Sequence, residues 1–451
     1  MSFYSVELPY RTDAAHYYAA LADLPWAAWL DSGGMARFDI LTAAPQRTLV
    51  LNDEVSQGDP FVMLRNELGK RVAPVENIPF AGGALGYWAY DLARRICPPG
   101  GASQDSEHHP GTATVRVPDM AIGFYDWALV LDHQLKTARL ASHRRFAETS
   151  ELLPKLLQRL LSNPSLPEGT FRVQGKITSN FTAESYAAAF ARVQGYLLSG
   201  DCYQVNLAQR FSASATGDAL AAYLALRKLS PAPYSAFLNL PPARILCASP
   251  ERFLRVRNDS VETRPIKGTR PRGSDAQQDR RLAEELRNHP KDRAENLMIV
   301  DLLRNDLGKC CVPGSVRVPE LFGVESFSNV HHLVSTVQGK LAAGRDALDA
   351  LRDCFPGGSV TGAPKQRAMQ IIAQLEPDRR GIYCGAIGYA GFDGNMDSNI
   401  VIRTIVHTGN RVHCWAGGGI VSDSNAAAEY QETLDKASAM LGLLQHCGGE
   451  L

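Results

Sequence analysis

The segment TRPIKGTRPRG, residues 263–273, sets a single lysine among fixed cations: Lys267 stands between Arg264 on one side and Arg270 and Arg272 on the other. Nearby positive charge disfavours protonation of an amine, and a neutral amine is a nucleophile or a base. Gly268 and Thr269 follow directly and would bring a backbone amide and a hydroxyl close to a small anion. A solvated basic turn would carry the same residues, so the segment alone leaves both readings open.

Two carboxylate pairs come next. Asp292 and Glu295 stand three residues apart in KDRAENLMIVD, and Glu429 and Glu432 repeat that spacing in AAEYQETLDKA. On a helix each pair shares one face, where like charges repel unless a cation lies between them. Two such helices facing one another would offer oxygen ligands suited to Mg²⁺, and the absence of accompanying soft ligands argues against zinc. Taken singly, either pair also reads as solvated helix surface.

Three glycine-rich segments invite comparison with nucleotide loops and fail it. Gly357 and Gly362 of CFPGGSVTGAPKQRAM have G-x-x-x-x-G spacing, but Ala363 and Pro364 stand where a phosphate loop needs Lys and Ser or Thr. AGGALGYWAYD, 81–91, lacks the G-x-G-x-x-G order of a dinucleotide site. WAGGGIVSDS, 415–424, follows a strand pattern, and Gly417, Gly418 and Gly419 could present amides to a carboxylate or simply form a tight turn. His331 and His332 adjoin in VHHLVST, and Arg403 ends the strand-like NIVIR. Neither G-x-S-x-G nor H-E-x-x-H occurs. From residues alone the expectation is a carboxylate-binding enzyme, Mg²⁺-dependent, with a candidate lysine nucleophile.

The elements that must position these groups can be read from periodicity. Upstream, TLVLND (48–53) and WALVLDH (127–133) predict strands, residues 99–112 a mobile loop, and 146–162 a Leu-rich helix. The Pro-bearing stretch 162–170 reads as a linker. Downstream, Thr182 caps an expected helix carrying Tyr186, Phe190, Val193 and Leu197 on one face. Strands are expected at 202–211, 235–240, 243–249, 252–257, 384–391, 398–408 and 411–416, with helices over 291–306 and 426–445. Strands in sequential blocks predict an α+β fold with antiparallel sheets, and the linker divides an N-terminal region, 1–165, from a C-terminal one, 175–447.

Composition bounds the function. The chain has 451 residues, 45% hydrophobic and 21% charged, which excludes wholesale disorder. Lys plus Arg equals Asp plus Glu at 47 each, which argues against nucleic acid or an anionic membrane as main partner. No apolar run is long enough for a membrane helix, and the start MSFYSVELPYR lacks the pattern of a secretory signal. Nine scattered cysteines without a C-x-x-C pair fit a reduced, cytoplasmic protein with structural thiols.

In order, SGDCYQVNLAQRF, ASPERF, TRPIKGTRPRG, DRAENLMIVDLLRND, HHLVS, GGSVTGAPK, GAIGY and AGGGIVSDS resemble the catalytic region of the chorismate-utilising enzymes, the family of anthranilate, isochorismate and aminodeoxychorismate synthase large subunits. IPFAGGALGYWAYDL, 78–92, resembles the family's N-terminal half, so the likeness spans nearly the whole chain. It implies the family's fold, antiparallel sheets packed as a sandwich with helices outside and both regions sharing one core. Members that form anthranilate carry P-I-A-G-T where this sequence has P-I-K-G-T, the pattern of those that aminate chorismate at C4.

The resemblance therefore implies conversion of chorismate and ammonia to 4-amino-4-deoxychorismate, for p-aminobenzoate and folate. It implies Lys267 as nucleophile at C2 and Glu251 of SPERF as general acid for the C4 hydroxyl. Glu295 and Glu432 would hold Mg²⁺, with Asp292 and Glu429 supporting through waters. Arg403, Tyr383 and the amides of Gly417, Gly418 and Gly419 match positions that grip the carboxylates of chorismate; Gly268, Thr269, His332 and Ser359 match further substrate contacts. Because no glutaminase segment is evident, a separate glutamine amidotransferase subunit is implied as ammonia source, in a heterodimer. A tryptophan pocket of related proteins is matched by Ser32, Pro233, Tyr234 and Ser235. The rival expectations are an anthranilate-forming member, and a non-catalytic chorismate or tryptophan binder.

Overall fold

The computed structural model describes residues 3–52, 58–96, 117–162, 164–166, 169–327 and 330–450. The loop expected at 99–112 lies outside them, as does part of the 162–170 stretch. Two sheets, of twelve and ten strands among the described residues, make up the body, and their strands pair antiparallel throughout.

Each sheet takes strands from both sides of residue 165. In the larger, Tyr234–Leu240 pairs with Ala27–Asp31 on one edge and Ala243–Ser249 on the other. In the smaller, Gly83–Trp88 lies between Met120–Tyr125 and Ala386–Gly391. Gly86 permits the contact with Met120–Tyr125, since a Cβ there would lie 2.1 Å from the Ala121 carbonyl oxygen.

The period-2 alternation of the strands decides which layer each side chain enters. Ala28, Leu238 and Ile245 point from the larger sheet into a core shared with Leu85, Tyr87, Ile122, Leu254 and Ile387 of the smaller. Their neighbours Trp29, Phe237 and Leu246 point the other way, into a second core closed by helices Thr149–Leu161, Ala219–Leu229 and Ala426–His446. A third cluster sits under helices Ala183–Leu198 and Lys365–Leu375. The result is the expected sandwich with helices outside.

Several helices begin and end where side-chain chemistry dictates. Thr182 and Ser185 form a reciprocal capping box at the start of Ala183–Leu198. Pro290 opens Pro290–Gly308 at a position where its missing N–H is harmless, and the His289 ring accepts from the Asp292 amide. This helix packs on strand Val330–Lys340 of the smaller sheet, while Ala426–His446 packs on Arg411–Ile420 of the larger.

Three features differ from the sequence reading. The single strand expected at 398–408 is two: Met396–Ile400 belongs to the smaller sheet and Thr404–Thr408 to the larger, and the chain crosses between them through Arg403, whose φ is +50°. The glycines at 417–419 form no turn; the strand expected to stop at 416 runs on as Arg411–Ile420 because Gln204–Gly217 continues to pair with it. Helices Pro60–Leu68, Ala219–Leu229, Ala276–Asn288, Ala347–Cys354 and Lys365–Leu375 lie in segments the sequence reading left unassigned; Ala276–Asn288 is a polar segment in which Leu286 alone is buried, too little to announce an apolar face. The eight described cysteines are all free thiols. No helix among the described residues is long and apolar enough to cross a membrane.

Candidate active site

A cavity of about 570 Å³ opens where the chain passes between the two sheets. Two short crossovers form its floor. Pro250 and Glu251 link Ala243–Ser249 of the larger sheet to Arg252–Arg257 of the smaller; residues 401–403 make the return passage. The smaller sheet contributes Lys267, Gly268 and Thr269 from strand Ile266–Pro271, and His332 from the adjacent Val330–Lys340. The larger contributes Asn206, Trp415, Gly417 and Gly419. Helices Pro290–Gly308 and Ala426–His446 bring Asp292 with Glu295, and Glu429 with Glu432, to its walls. The two carboxylate pairs thus line a common space; their spacing put each pair on one helix face but did not say that the two faces meet.

Glu251 is the buried acid of this site. Ser359 donates to its Oε1 at 2.7 Å, and the Ile400 amide donates to its backbone carbonyl at 3.0 Å. Burial raises its pKa above the usual carboxylate range, against the opposing pull of the Ser359 hydrogen bond and of Lys267 and Lys436. Ser359 is held in turn: Asn206 Nδ2 donates to its carbonyl at 2.9 Å, and Arg380 ties Val360 to Asn206 through bonds of 2.8 and 3.0 Å to their carbonyls.

Lys267 has its pKa lowered, and the cause differs from the sequence expectation. Burial is the main one; Lys436 adds to it, while Glu295, Glu251 and Glu432 oppose it. The three arginines that flank it in sequence are neutralised elsewhere. Arg264 pairs with Glu325, Arg270 with Glu285 and Asp292, and Arg272 with Asp279. These carboxylates, placed on other elements, offset the arginine charges, which adjacency in sequence could not reveal; of the three, Arg270 alone lines the cavity. Gly268, at φ +82°, has no room for a side chain: a Cβ would lie 2.8 Å from Asp292 Cγ.

The anion-binding side is equally defined. Arg403 is largely buried, has no ion pair or side-chain hydrogen bond among the described residues, and its pKa is lowered by burial alone. A buried guanidinium left in this state is prepared for a carboxylate from outside the protein. His332 shares a 2.9 Å hydrogen bond with Thr269 Oγ1, and burial beside Arg403 depresses its pKa to about 4, so it is neutral at physiological pH. The Tyr383 ring stacks on Trp415 at 6.0 Å and 6°. Beyond Cys414 the strand Arg411–Ile420 loses its pairing with Thr404–Thr408, leaving its edge along the glycines unpaired toward the cavity. Gly417 and Gly419 line that cavity; Gly418 instead faces the helix, where a Cβ would sit 2.7 Å from Glu429 Oε2.

The acidic walls can be tested as a site for a hard cation. Glu429 Oε1 accepts from Ser424 at 2.7 Å, but its buried Oε2 has no hydrogen-bond partner. Gly418 opposite leaves the space a side chain would otherwise fill. Asp292 is held by Arg270 at 3.1 Å. Among the described residues no three His, Cys, Asp or Glu side chains converge into a ready-made cage. Mg²⁺ seldom needs one: it keeps several waters and takes one or two carboxylates plus a substrate oxygen. An all-oxygen donor set with an orphaned buried carboxylate oxygen fits that ion.

The sequence reading missed Lys291 and Lys436, which line the cavity and follow the i, i+4 spacing with Glu295 and Glu432. That spacing was visible and is the signal that could have found them. Asn206 and Trp415 also line the cavity; they lie within SGDCYQVNLAQRF and WAGGGIVSDS, where the sequence reading gave them no role. Of the residues matched to a tryptophan pocket, Pro233, Tyr234 and Ser235 line a separate cavity of about 340 Å³; Ser32 does not, being buried with its amide on Asp39 at 2.6 Å.

Residues 27–442 match the family model described as chorismate binding enzyme. The chain is 47% identical over 462 residues to aminodeoxychorismate synthase component 1 of Klebsiella aerogenes, covering 98% of each. It is 48% identical over 463 residues to the protein of the same name from Salmonella typhimurium strain LT2, again covering 98% of each. The crystal structure of anthranilate synthase component I from Streptococcus pneumoniae TIGR4 superposes with a TM-score of 0.77 at 34% identity, covering 90% of this chain and 92% of that one. With its motifs, its two-sheet architecture and these matches in agreement, the chain belongs to the chorismate binding enzyme family.

Proposed function

We propose that this chain converts chorismate and ammonia to 4-amino-4-deoxychorismate through a covalent adduct on Lys267. The observation that carries the reading is the pairing, in one cavity, of a buried lysine whose pKa is lowered with a buried carboxyl whose pKa is raised. The name shared by the two relatives at 47% and 48% identity supports the same reaction.

The neutral Lys267 Nζ attacks C2 of the ring; the double bond shifts, the C4–O bond breaks, and the Glu251 carboxyl gives its proton to the departing hydroxyl, which leaves as water. Ammonia then attacks C4, the double bond shifts back, and the C2–N bond breaks to return a neutral lysine. The new C4 ammonium carries the extra proton, which solvent or Glu251 collects. Ser359 orients the acid, Arg403 and the amides of Gly417 and Gly419 hold substrate carboxylate, and Gly268, Thr269 and neutral His332 shape the ring pocket beside Tyr383. Glu295 and Glu432 would hold Mg²⁺, supported by Asp292 and Glu429, and the ion supplies positive charge against a substrate carboxylate.

Ammonia would come from glutamine through a partner amidotransferase subunit, in keeping with the words "component 1" in the relatives' names. Free thiols throughout the described chain suit a cytoplasmic setting, and the product would feed p-aminobenzoate and folate synthesis. The cavity at Pro233, Tyr234 and Ser235 is proposed as a separate tryptophan pocket.

The test is product identification from purified chain, chorismate, Mg²⁺ and ammonium. The reading predicts aminodeoxychorismate; anthranilate would overturn it, since a lysine at the C2 face excludes ammonia from that carbon. Binding of chorismate without turnover would favour the non-catalytic rival.

A further inference from the structure

Each carboxylate assigned to the cation has a lysine four residues away on its own helix. Lys436 Nζ lies 2.5 Å from Glu432 Oε1 and donates to the Gly417 carbonyl at 3.1 Å. Lys291 Nζ lies 3.9 Å from Glu295 Oε1. Both lysines line the cavity, with their side chains 46% exposed. Six acids, Glu251, Asp292, Glu295, Glu429, Glu432 and Asp435, crowd the same walls. Without compensating charge such a group of carboxylates repels or takes up protons. Asp292 has Arg270, Glu251 has Ser359, Glu429 has Ser424 and Asp435 has Gln431, which leaves Glu295 and Glu432 to the two lysines.

Resting on the metal reading above, we infer that Lys291 and Lys436 are stand-in cations: they occupy the places of the divalent ion against Glu295 and Glu432 until it arrives, and its binding displaces them into the cavity, where they meet the anionic substrate. The i, i+4 geometry makes the exchange local, because a lysine side chain can swing without moving its helix. Seated against Glu295 and Glu432, the lysines compete with the metal for these carboxylates. They are positioning residues for the cation, acting before any chemistry.

The exchange is read by titrating Mg²⁺ calorimetrically into the full chain without chorismate, at pH 8, where carboxylates stay ionised. Lys436→Met and Lys291→Met each remove one competitor and should bind Mg²⁺ at least about threefold more tightly than wild type. Lys436→Arg keeps the charge and should bind like wild type. Both lysines are half exposed, so thermal melting of each variant is expected to match wild type. Mg²⁺ binding to wild type with equal or weaker binding to both Met variants overturns this inference and leaves the metal reading standing. Failure of every form, wild type included, to bind Mg²⁺ overturns both.

Discussion

Two cavities built on the same pair of sheets treat charge in opposite ways. The second cavity, about 340 Å³, is rich in ions, yet each has its partner. Arg252 is forked onto Asp397 at 3.1 and 3.2 Å and reaches Glu262; Arg255 also holds Glu262, and Arg37 holds Asp132. Asp31 is buried between Arg227 and the Tyr223 hydroxyl. In the 570 Å³ cavity the balance is left open: among the described residues Arg403 has no counter-charge and Glu429 Oε2 no donor, and Lys267 and Glu251 are buried in environments that disfavour their charged forms. A neutralised cavity adds rigidity. An unneutralised one spends folding stability to hold groups in perturbed states, the pattern expected where a ligand completes the balance.

The sharpest way to break this contrast is at its two reactive groups. Lys267→Ala should abolish adduct formation and lower aminodeoxychorismate production by about 10³-fold or more, as loss of a nucleophile does. Steady-state kinetics with ammonium as donor measures it. An unchanged rate would remove the lysine from the mechanism. Glu251→Gln should cost about 10²–10⁴-fold in kcat, since hydroxide departs poorly without a proton.

Smaller effects sharpen the comparison. The reacting form needs Glu251 protonated and Lys267 neutral, the reverse of the ordinary ion pair. Each tenfold gain in the proton affinity of the acid, or loss in that of the amine, multiplies that form by ten. Activity should therefore follow a bell in pH, with its acid limb above the 4.5 of a free glutamate and its basic limb below the 10.5 of a free lysine. Ser359 donates to Glu251 and so favours the carboxylate; Ser359→Ala should move the acid limb of kcat/KM to higher pH. A shift to lower pH would contradict the assigned sign.

The neutralised cavity should respond differently. Asp397→Asn strands the Arg252 fork and should destabilise the fold by about 1–3 kcal/mol, read in denaturant melts, while kcat of the folded enzyme stays within about twofold. Loss of activity without loss of stability would erase the distinction between the cavities.

The parts legible in the sequence were those fixed by short range. Thr182 announced its cap, and the spacing of Asp292 with Glu295 and of Glu429 with Glu432 announced two carboxylate faces. The motifs around Lys267 and Glu251 singled out two residues that line one cavity. What the sequence hid depends on the second sheet. The strand pattern at 398–408 gives no sign that the chain changes sheets at Arg403, because both halves are equally buried. The arginines around Lys267 looked like the cause of its perturbation because their partners, Glu325, Glu285 and Asp279, lie on other elements. Gly418 looked like its neighbours, yet alternation turns it toward Glu429.

The central claim is a bond between Lys267 and the substrate ring, and intact-protein mass spectrometry reads it directly. After incubation with chorismate and Mg²⁺ and no ammonia, the chain should gain the mass of chorismate less one water, on the peptide containing Lys267, and lose it when ammonium is added. No mass gain under turnover-competent conditions, or the same gain in Lys267→Ala, would contradict the account.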